Sequence, residues 1–225
     1  MSKNRMLVNV ILDRSGSMRG LVDSVIENYN NYIEELRGLE DVNIRISLVQ
    51  FDNEYEEVYL NKSLKYVPKL DRTVYYSRGV TALLDAIGRT IRAVESIKNI
   101  PEKVIFVINT DGYENASQEF TRSQIKEMIS GHEVADNWQF IFIGAGIDAI
   151  AEGGSVGVRA YNTLNTSNST TGVDYNYTVL SAYSGSVAGA SPGDFSSITM
   201  ADSVGVVGTE EEVEKKKKEK VTSNT

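Results

Sequence analysis

The chain has 225 residues, 41% hydrophobic and 24% charged, with a net charge of −8. That balance suits one sizeable soluble domain with a well-buried core, and the acidity disfavours a nucleic-acid partner, whose phosphates want a basic surface. Cysteine is absent and His132 is the single histidine, which excludes disulfides, thiolate metal sites, cysteine nucleophiles and His-rich chemistry.

Met6 to Leu12 is a near-continuous apolar run ending at Asp13, the pattern of a strand buried on both faces of a parallel sheet. Leu21, Val25, Tyr29, Ile33 and Leu36 recur at helical spacing, and Gly38 stops that helix. Ile44 to Phe51 alternates as a second strand. Tyr55 to Leu60 reads as a third after the turn at Asp52-Asn53. So short a connection predicts antiparallel pairing of the two. Leu83, Leu84, Ile87, Ile91, Val94 and Ile97 mark a second long helix, and Pro101 closes the segment after it. Val104 to Ile108 is another buried strand. Thr121 and Gln124 form a capping box ahead of Ile125, Met128 and Ile129. Trp138 to Ile143 is a further strand, followed by a short helical piece near Ala149 and a strand near Val158 to Tyr161. Leu164 to Gly172 reads as a polar loop. Val173, Tyr177, Leu180 and Val187 form the inner stripe of a last helix.

Strands alternating with helices predict a doubly wound, Rossmann-like three-layer α/β sandwich. Its sheet is expected to be mostly parallel with one antiparallel edge strand. The domain is expected over residues 1–190, with 191–225 a flexible tail, first Gly/Ser-rich and then charged. Glu211–Lys215, Glu212–Lys216 and Glu214–Lys218 are favourable i,i+4 pairs in it. No stretch approaches the ~20 apolar residues that span a bilayer, and the start of the chain lacks the pattern of a secretory leader. The expectation is a cytoplasmic protein that does not engage membranes.

In sheets of this kind ligands bind at the carboxyl ends of strands. Three expected strand exits carry oxygen donors: Asp13-Arg14-Ser15-Gly16-Ser17-Met18, Gly79-Val80-Thr81 ahead of the second long helix, and Asn109-Thr110-Asp111-Gly112. The set resembles the metal-ion-dependent adhesion site (MIDAS) of von Willebrand factor A (vWA) domains, over roughly residues 5–190. The family pattern is Asp-x-Ser-x-Ser after the first strand, a Thr from a second loop and an Asp after the fourth strand. Asp13, Ser15, Ser17, Thr81 and Asp111 match it in order. The resemblance implies a divalent cation, Mg²⁺ or Mn²⁺, held by these five residues, with both carboxylates mainly behind water. A hard cation wants oxygen ligands, for Mg²⁺ in an octahedron at about 2.1 Å. Mostly neutral hydroxyls would leave it short of negative charge. The implied function is non-catalytic: an Asp or Glu of a protein partner completes the metal shell. An intracellular bacterial or phage-type member of the family is expected. Met18, Arg19, Tyr75, Tyr76, Arg78, Tyr113 and Glu114 flank the motifs and are expected to form a partner-binding rim, since aromatics and Arg dominate interface hot spots.

Other readings carry less. Gly144 to Ala149 matches Gly-x-Gly-x-x-Ala, a dinucleotide fingerprint in form, but no acidic residue ends the next expected strand. A magnesium-dependent phosphatase of the haloacid-dehalogenase type needs a second carboxylate where Ser15 stands. A structural or assembly role in a virion or multiprotein particle is the main alternative, with the Tyr175 to Ser197 stretch as a contact.

Overall fold

A computed structural model describes residues 4–136, 138–191 and 193–223. Six strands and seven α-helices follow along them: β1 (Asn4–Asp13), α1 (Val22–Arg37), β2 (Val42–Phe51), β3 (Tyr55–Ser63), α2 (Leu83–Glu95), β4 (Lys103–Thr110), α3 (Arg122–Ala135), β5 (Gln139–Ala145), α4 (Ala149–Ser155), β6 (Thr163–Thr166), α5 (Thr170–Gly189), α6 (Met200–Val207) and α7 (Glu210–Ser223). The strands form one sheet in the order β3-β2-β1-β4-β5-β6. All neighbours pair in parallel except β2 and β3, which are antiparallel as their short connection predicts.

The two faces of β1 explain its unbroken apolar run. Met6, Val8, Val10 and Leu12 point to one layer with α1, α5 and α6. Leu7 and Ile11 point to the other with α2, α3 and α4. β4 and β5 divide in the same way: Ile105, Val107, Ile141 and Ile143 against Val104, Phe106, Ile108, Phe140 and Phe142. Each such side chain removed from water contributes about 1.5–3 kcal/mol, and the middles of the central strands place them on both faces, with Asn9 as a buried polar exception in β1. The capping box of α3 is present as Thr121 and Gln124. Among the described residues no helix is long and apolar enough to cross a membrane.

Two expectations need correction. The strand expected at Val158 to Tyr161 is a loop leading into a short 3-10 turn at Ala160–Asn162. There the Val158 amide is spent on Gly153 O at the end of α4. The strand lies further on, at β6, which overlaps the start of the stretch that reads as polar loop. Parallel pairing from Phe142–Thr163 to Ala145–Thr166 holds it there, so the sheet edge overrides weak local propensity. The core also continues past residue 190. Phe195 and Met200 are fully buried, and Val204, Val207 and Val213 pack against the layer formed by α1 and α5. Tyr175, Tyr177 and Tyr183 are buried in the same layer. Of the expected charge pairs in the last helix, Lys218 meets Glu214 at 2.6 Å.

Candidate metal centre

β1 and β4 lie side by side at the middle of the sheet. The chain leaves β1 toward the α1 face and β4 toward the opposite face. Their carboxyl ends therefore border a crevice, the switch point at which open α/β sheets bind ligands. Asp13 ends β1 and Asp111 follows β4.

Asp13 is fully buried. Its Oδ1 accepts the Ser15 amide at 2.6 Å and its Oδ2 accepts the Thr110 hydroxyl at 2.5 Å, so one carboxylate fastens the exits of both strands. The Tyr75 hydroxyl donates to the Asp13 carbonyl at 2.7 Å. Ser15 Oγ and Ser17 Oγ are 3.0 Å apart, and Ser17 Oγ donates to Asp111 Oδ1 at 2.5 Å. A chain of oxygens thus runs from Ser15 through Ser17 to Asp111.

Thr81 reaches the same loops through its backbone. Its amide donates to Asn115 Oδ1 and its carbonyl accepts the Asn115 amide, both at 3.0 Å. A Cβ added to Gly112 would lie 3.0 Å from Thr81 Oγ1, so glycine leaves that hydroxyl its space beside Asp111. Gly79 turns the chain into Thr81 with φ +67 and accepts the Gly16 amide at 3.1 Å; a Cβ there would meet Asn53 Oδ1 at 2.2 Å. Only glycine fits.

Arg14 braces the arrangement from below. It is fully buried, donates to Asp52 Oδ2 at 3.2 Å and pairs with Glu56. Arg78 meets the same Asp52 oxygen at 2.7 Å and donates its amide to the Arg14 carbonyl. Asp52, just past β2, so links the first motif to the loop that carries Thr81.

Burial pushes the Asp13 carboxyl up to about 6, against the lowering effect of its bonds from Thr110 and Ser15. Burial also raises Asp111, opposed by the bonds from Ser17 and Asn168. Two carboxylates are thus held out of water beside hydroxyls, where a cation would relieve the cost of their charge. Among the described residues no three or more His, Asp and Glu side chains group as an ion site. Two carboxylates and the Ser15 and Ser17 hydroxyls come together here, with the Thr81 hydroxyl beside Gly112, and that all-oxygen set fits a hard divalent ion rather than a soft one.

The sequence profile of the von Willebrand factor type A domain matches residues 8–182. The chain belongs to this family. No curated protein matches the sequence. Solved structures of low identity share the fold. Proximal thread matrix protein 1 from the mussel byssus aligns with a TM-score of 0.59 at 16% identity, over 77% of this chain and 44% of that one. A structure of the mussel protein with a zinc-occupied MIDAS motif aligns at 0.54 and 14%, over 73% and 42%. The PilB minor pilin from Streptococcus sanguinis gives 0.58 at 13%, over 80% and 61%. Manganese-loaded TRAP protein of Plasmodium vivax gives 0.52 at 18%, over 74% and 70%. The chain spans less than half the length of the mussel protein.

The rim of this vWA domain differs from expectation. Tyr75 and Met18 are buried, not surface residues. Tyr75 turns inward to bond Asp13, and Met18 packs in the core under the 3-10 turn Gly16–Leu21. Glu114 serves its own loop: it accepts the amides of Leu84, Ala116 and Ser117 and the Ser117 hydroxyl. Arg78 is tied to Asp52 and Glu54. Arg19, Tyr76 and Tyr113 remain exposed, and Val80 joins them. The glycine loop after β5 serves packing. Gly146 donates its amide to Thr166 O, Ala149 donates to Asn165 Oδ1, and Asp148 caps α4. Thr110, Asn115 and Asn168 are site neighbours that the motif does not name. His132 lies elsewhere, stacked on Trp138 and bonded to Glu95 and Asp136.

Proposed function

We propose that this chain is a non-catalytic protein-binding module, whose divalent cation is held by Asp13, Ser15, Ser17, Thr81 and Asp111 and recruits an Asp or Glu of a partner. The observation that carries the reading is the Ser15–Ser17–Asp111 oxygen chain at the switch point. The family supports it, since such domains are generally interaction modules. So do the zinc in the mussel protein's MIDAS motif and the manganese in the Plasmodium protein. Mg²⁺ or Mn²⁺ is the proposed ion here.

When bound, the ion supplies a Lewis-acidic position that an outside carboxylate can fill. The protein's own residues do the rest. Ser15, Ser17 and Thr81 offer neutral oxygens, which leave the ion short of negative charge. Asp13 fixes the Ser15 amide and the Thr110 hydroxyl, and so holds the first loop against β4. Asp111 orients Ser17. Exposed Tyr76, Val80 and Tyr113 offer apolar area around the site for a partner's flanks. Direct docking of an acidic partner on a chain of net charge −8 would be repulsive, and the cation converts that repulsion into attraction.

Calorimetric titration with Mg²⁺ and Mn²⁺ tests the reading. Asp111→Ala should bind roughly a hundredfold more weakly, about 2.7 kcal/mol. Wild-type protein that takes up neither ion sinks the proposal. Partners retained equally in metal and in chelator would remove the bridge while leaving the site.

A further inference from the structure

Asp111 has a second partner that the family motif does not supply. Asn168 Nδ2 donates to Asp111 Oδ2 at 3.3 Å, opposite the oxygen that takes the Ser17 hydroxyl. The two donors hold the carboxylate from both sides. Asn168 stands in the short loop between β6 and α5, 57 residues further along the chain than Asp111.

That loop is tightly seated. A Cβ on Gly146 would lie 2.8 Å from Asn168 Cβ, and one on Gly172 would lie 2.0 Å from the Ser167 carbonyl oxygen. The loop thus has glycine backbone pressed against it on two sides. Ser169 caps α5 by accepting the Gly172 amide, and its hydroxyl meets that of Ser167 at 2.7 Å. A shift of Ser167 therefore carries Asn168 with it.

Ser167 is held from beyond the family-matched region. Glu210, the first residue of α7, accepts the Ser167 amide at 3.0 Å and the Ser167 hydroxyl on its other oxygen. The helix is fastened at further points. Tyr175 donates to the Gly208 carbonyl at 3.0 Å, Lys217 meets Asp174 at 2.9 Å, and Val213 packs on the core layer. The match to the vWA family ends at residue 182, so this brace belongs to the appended segment.

We propose that Asn168 is a positioning residue of the metal site, and that helix α7 sets its place through Glu210 and Ser167. The inference rests on the metal reading above and assigns the C-terminal helix a role in it. With α7 docked, the Asn168 amide holds Asp111 in one orientation toward Ser17. With α7 released, Ser167 loses its carboxylate partner and the Asn168 amide is held less firmly against Asp111. Docking of α7 thus favours metal uptake through the Glu210–Ser167–Asn168 brace. Outer partners of metal-site carboxylates commonly contribute about 10–100-fold to affinity. A single neutral amide at this distance belongs at the low end.

The test uses the full chain and two readouts. Mn²⁺ and Mg²⁺ affinities are measured by calorimetry for wild type, Asn168→Ala, Glu210→Ala, Glu210→Gln and Lys217→Ala. The Asp111 carboxyl ¹³C resonance is followed in the metal-free proteins. Asn168→Ala should weaken binding about tenfold and Glu210→Ala about threefold. Glu210→Gln should recover part of the loss, because its amide oxygen still accepts one bond. The Asp111 resonance should move in both alanine variants with little change in thermal stability. Lys217→Ala loosens α7 away from the loop and should give a smaller change in the same direction, even if Glu210→Ala folds poorly. Wild-type uptake with both alanine variants unchanged overturns the inference and leaves the metal reading intact. No uptake by wild type overturns the metal reading instead. The Asp111 resonance then still judges the brace, and an unmoved signal in Asn168→Ala and Glu210→Ala overturns it.

Discussion

One strand carries a buried charge at each end. β4 begins at Lys103, fully buried, whose ammonium donates to the carbonyls of Val187 and Ala188 at 2.7 and 3.4 Å and to that of Ala190. It leads out to Asp111, and beside it β1 ends at Asp13, both carboxylates raised by burial. At the lower end the charge is answered by protein: three carbonyls at the C-terminus of α5, where a helix leaves acceptors free and favours a cation. At the upper end hydroxyls and amides answer the carboxylates, and among the described residues no cationic side chain bonds to them. A buried charge met by protein groups is part of the scaffold. A buried pair of carboxylates met only by neutral donors is a place for something else.

The largest effect should come from the lower end. Lys103→Met removes the ammonium from three carbonyls, of which Val187 O keeps the Ala190 amide and Ala188 O keeps the Asn4 side-chain amide, and should cost about 3 kcal/mol in urea unfolding, with metal affinity unchanged. If metal affinity falls in step with stability, the two ends are one unit and the contrast dissolves.

At the upper end the sign reverses. Burial raises Asp13 to about 6 in the folded chain from the ordinary 3.8, so the folded chain binds the extra proton between those values. Stability from the protonated acid is present below about pH 4 and lost as pH rises through about 6, by about 2 kcal/mol in metal-free protein. Asp13→Asn should flatten that slope and stabilise the metal-free chain at pH 7 while ending metal uptake. Saturating Mg²⁺ should oppose the slope, because the ion requires the ionised form. A metal-free stability that climbs from pH 4 to 6 in wild type but not in Asp13→Asn would refute this assignment.

Gly79→Ala should have the smallest effect, about 1 kcal/mol for a left-handed residue that gains a Cβ. Its mark should be a loss of metal affinity larger than that stability change suggests, since the Thr81 loop must move off Asn53. Equal and small losses in both would make Gly79 a plain turn residue.

The buried strands and the metal-site motif were legible because each signal is local. An unbroken apolar run means two covered faces, and Asp-x-Ser-x-Ser lies within five residues. What was not legible depended on distant partners. β6 reads Thr-Leu-Asn-Thr, with no apolar run, and exists because β5 offers an edge to pair with. Tyr75 and Tyr76 are adjacent and identical in type, and no sequence signal says that the first turns in to Asp13 while the second stays 43% exposed. Glu114 looks like a rim acid until the amides of Leu84, Ala116 and Ser117 surround it. Phe195 and Met200 sit among Gly, Ser and Asp, whose composition suggests a tail, yet the hollow beside α5 takes both.

The reciprocal pairing of Thr81 with Asn115 has a consequence for how the centre opens. Asp85 accepts the amides of Gln118, Glu119 and Phe120, and Glu114 accepts that of Leu84, so the start of α2 and the loop after β4 are laced together along their length. Two of the three donor loops therefore behave as one mechanical body. The remaining loop, Asp13 to Ser17, is joined to it through Thr110, Ser17, the Gly16–Gly79 bond and the link from Arg14 to Arg78 and Asp52. The crevice has a single seam, and an ion leaving it would pass when that seam parts rather than when three loops fray independently.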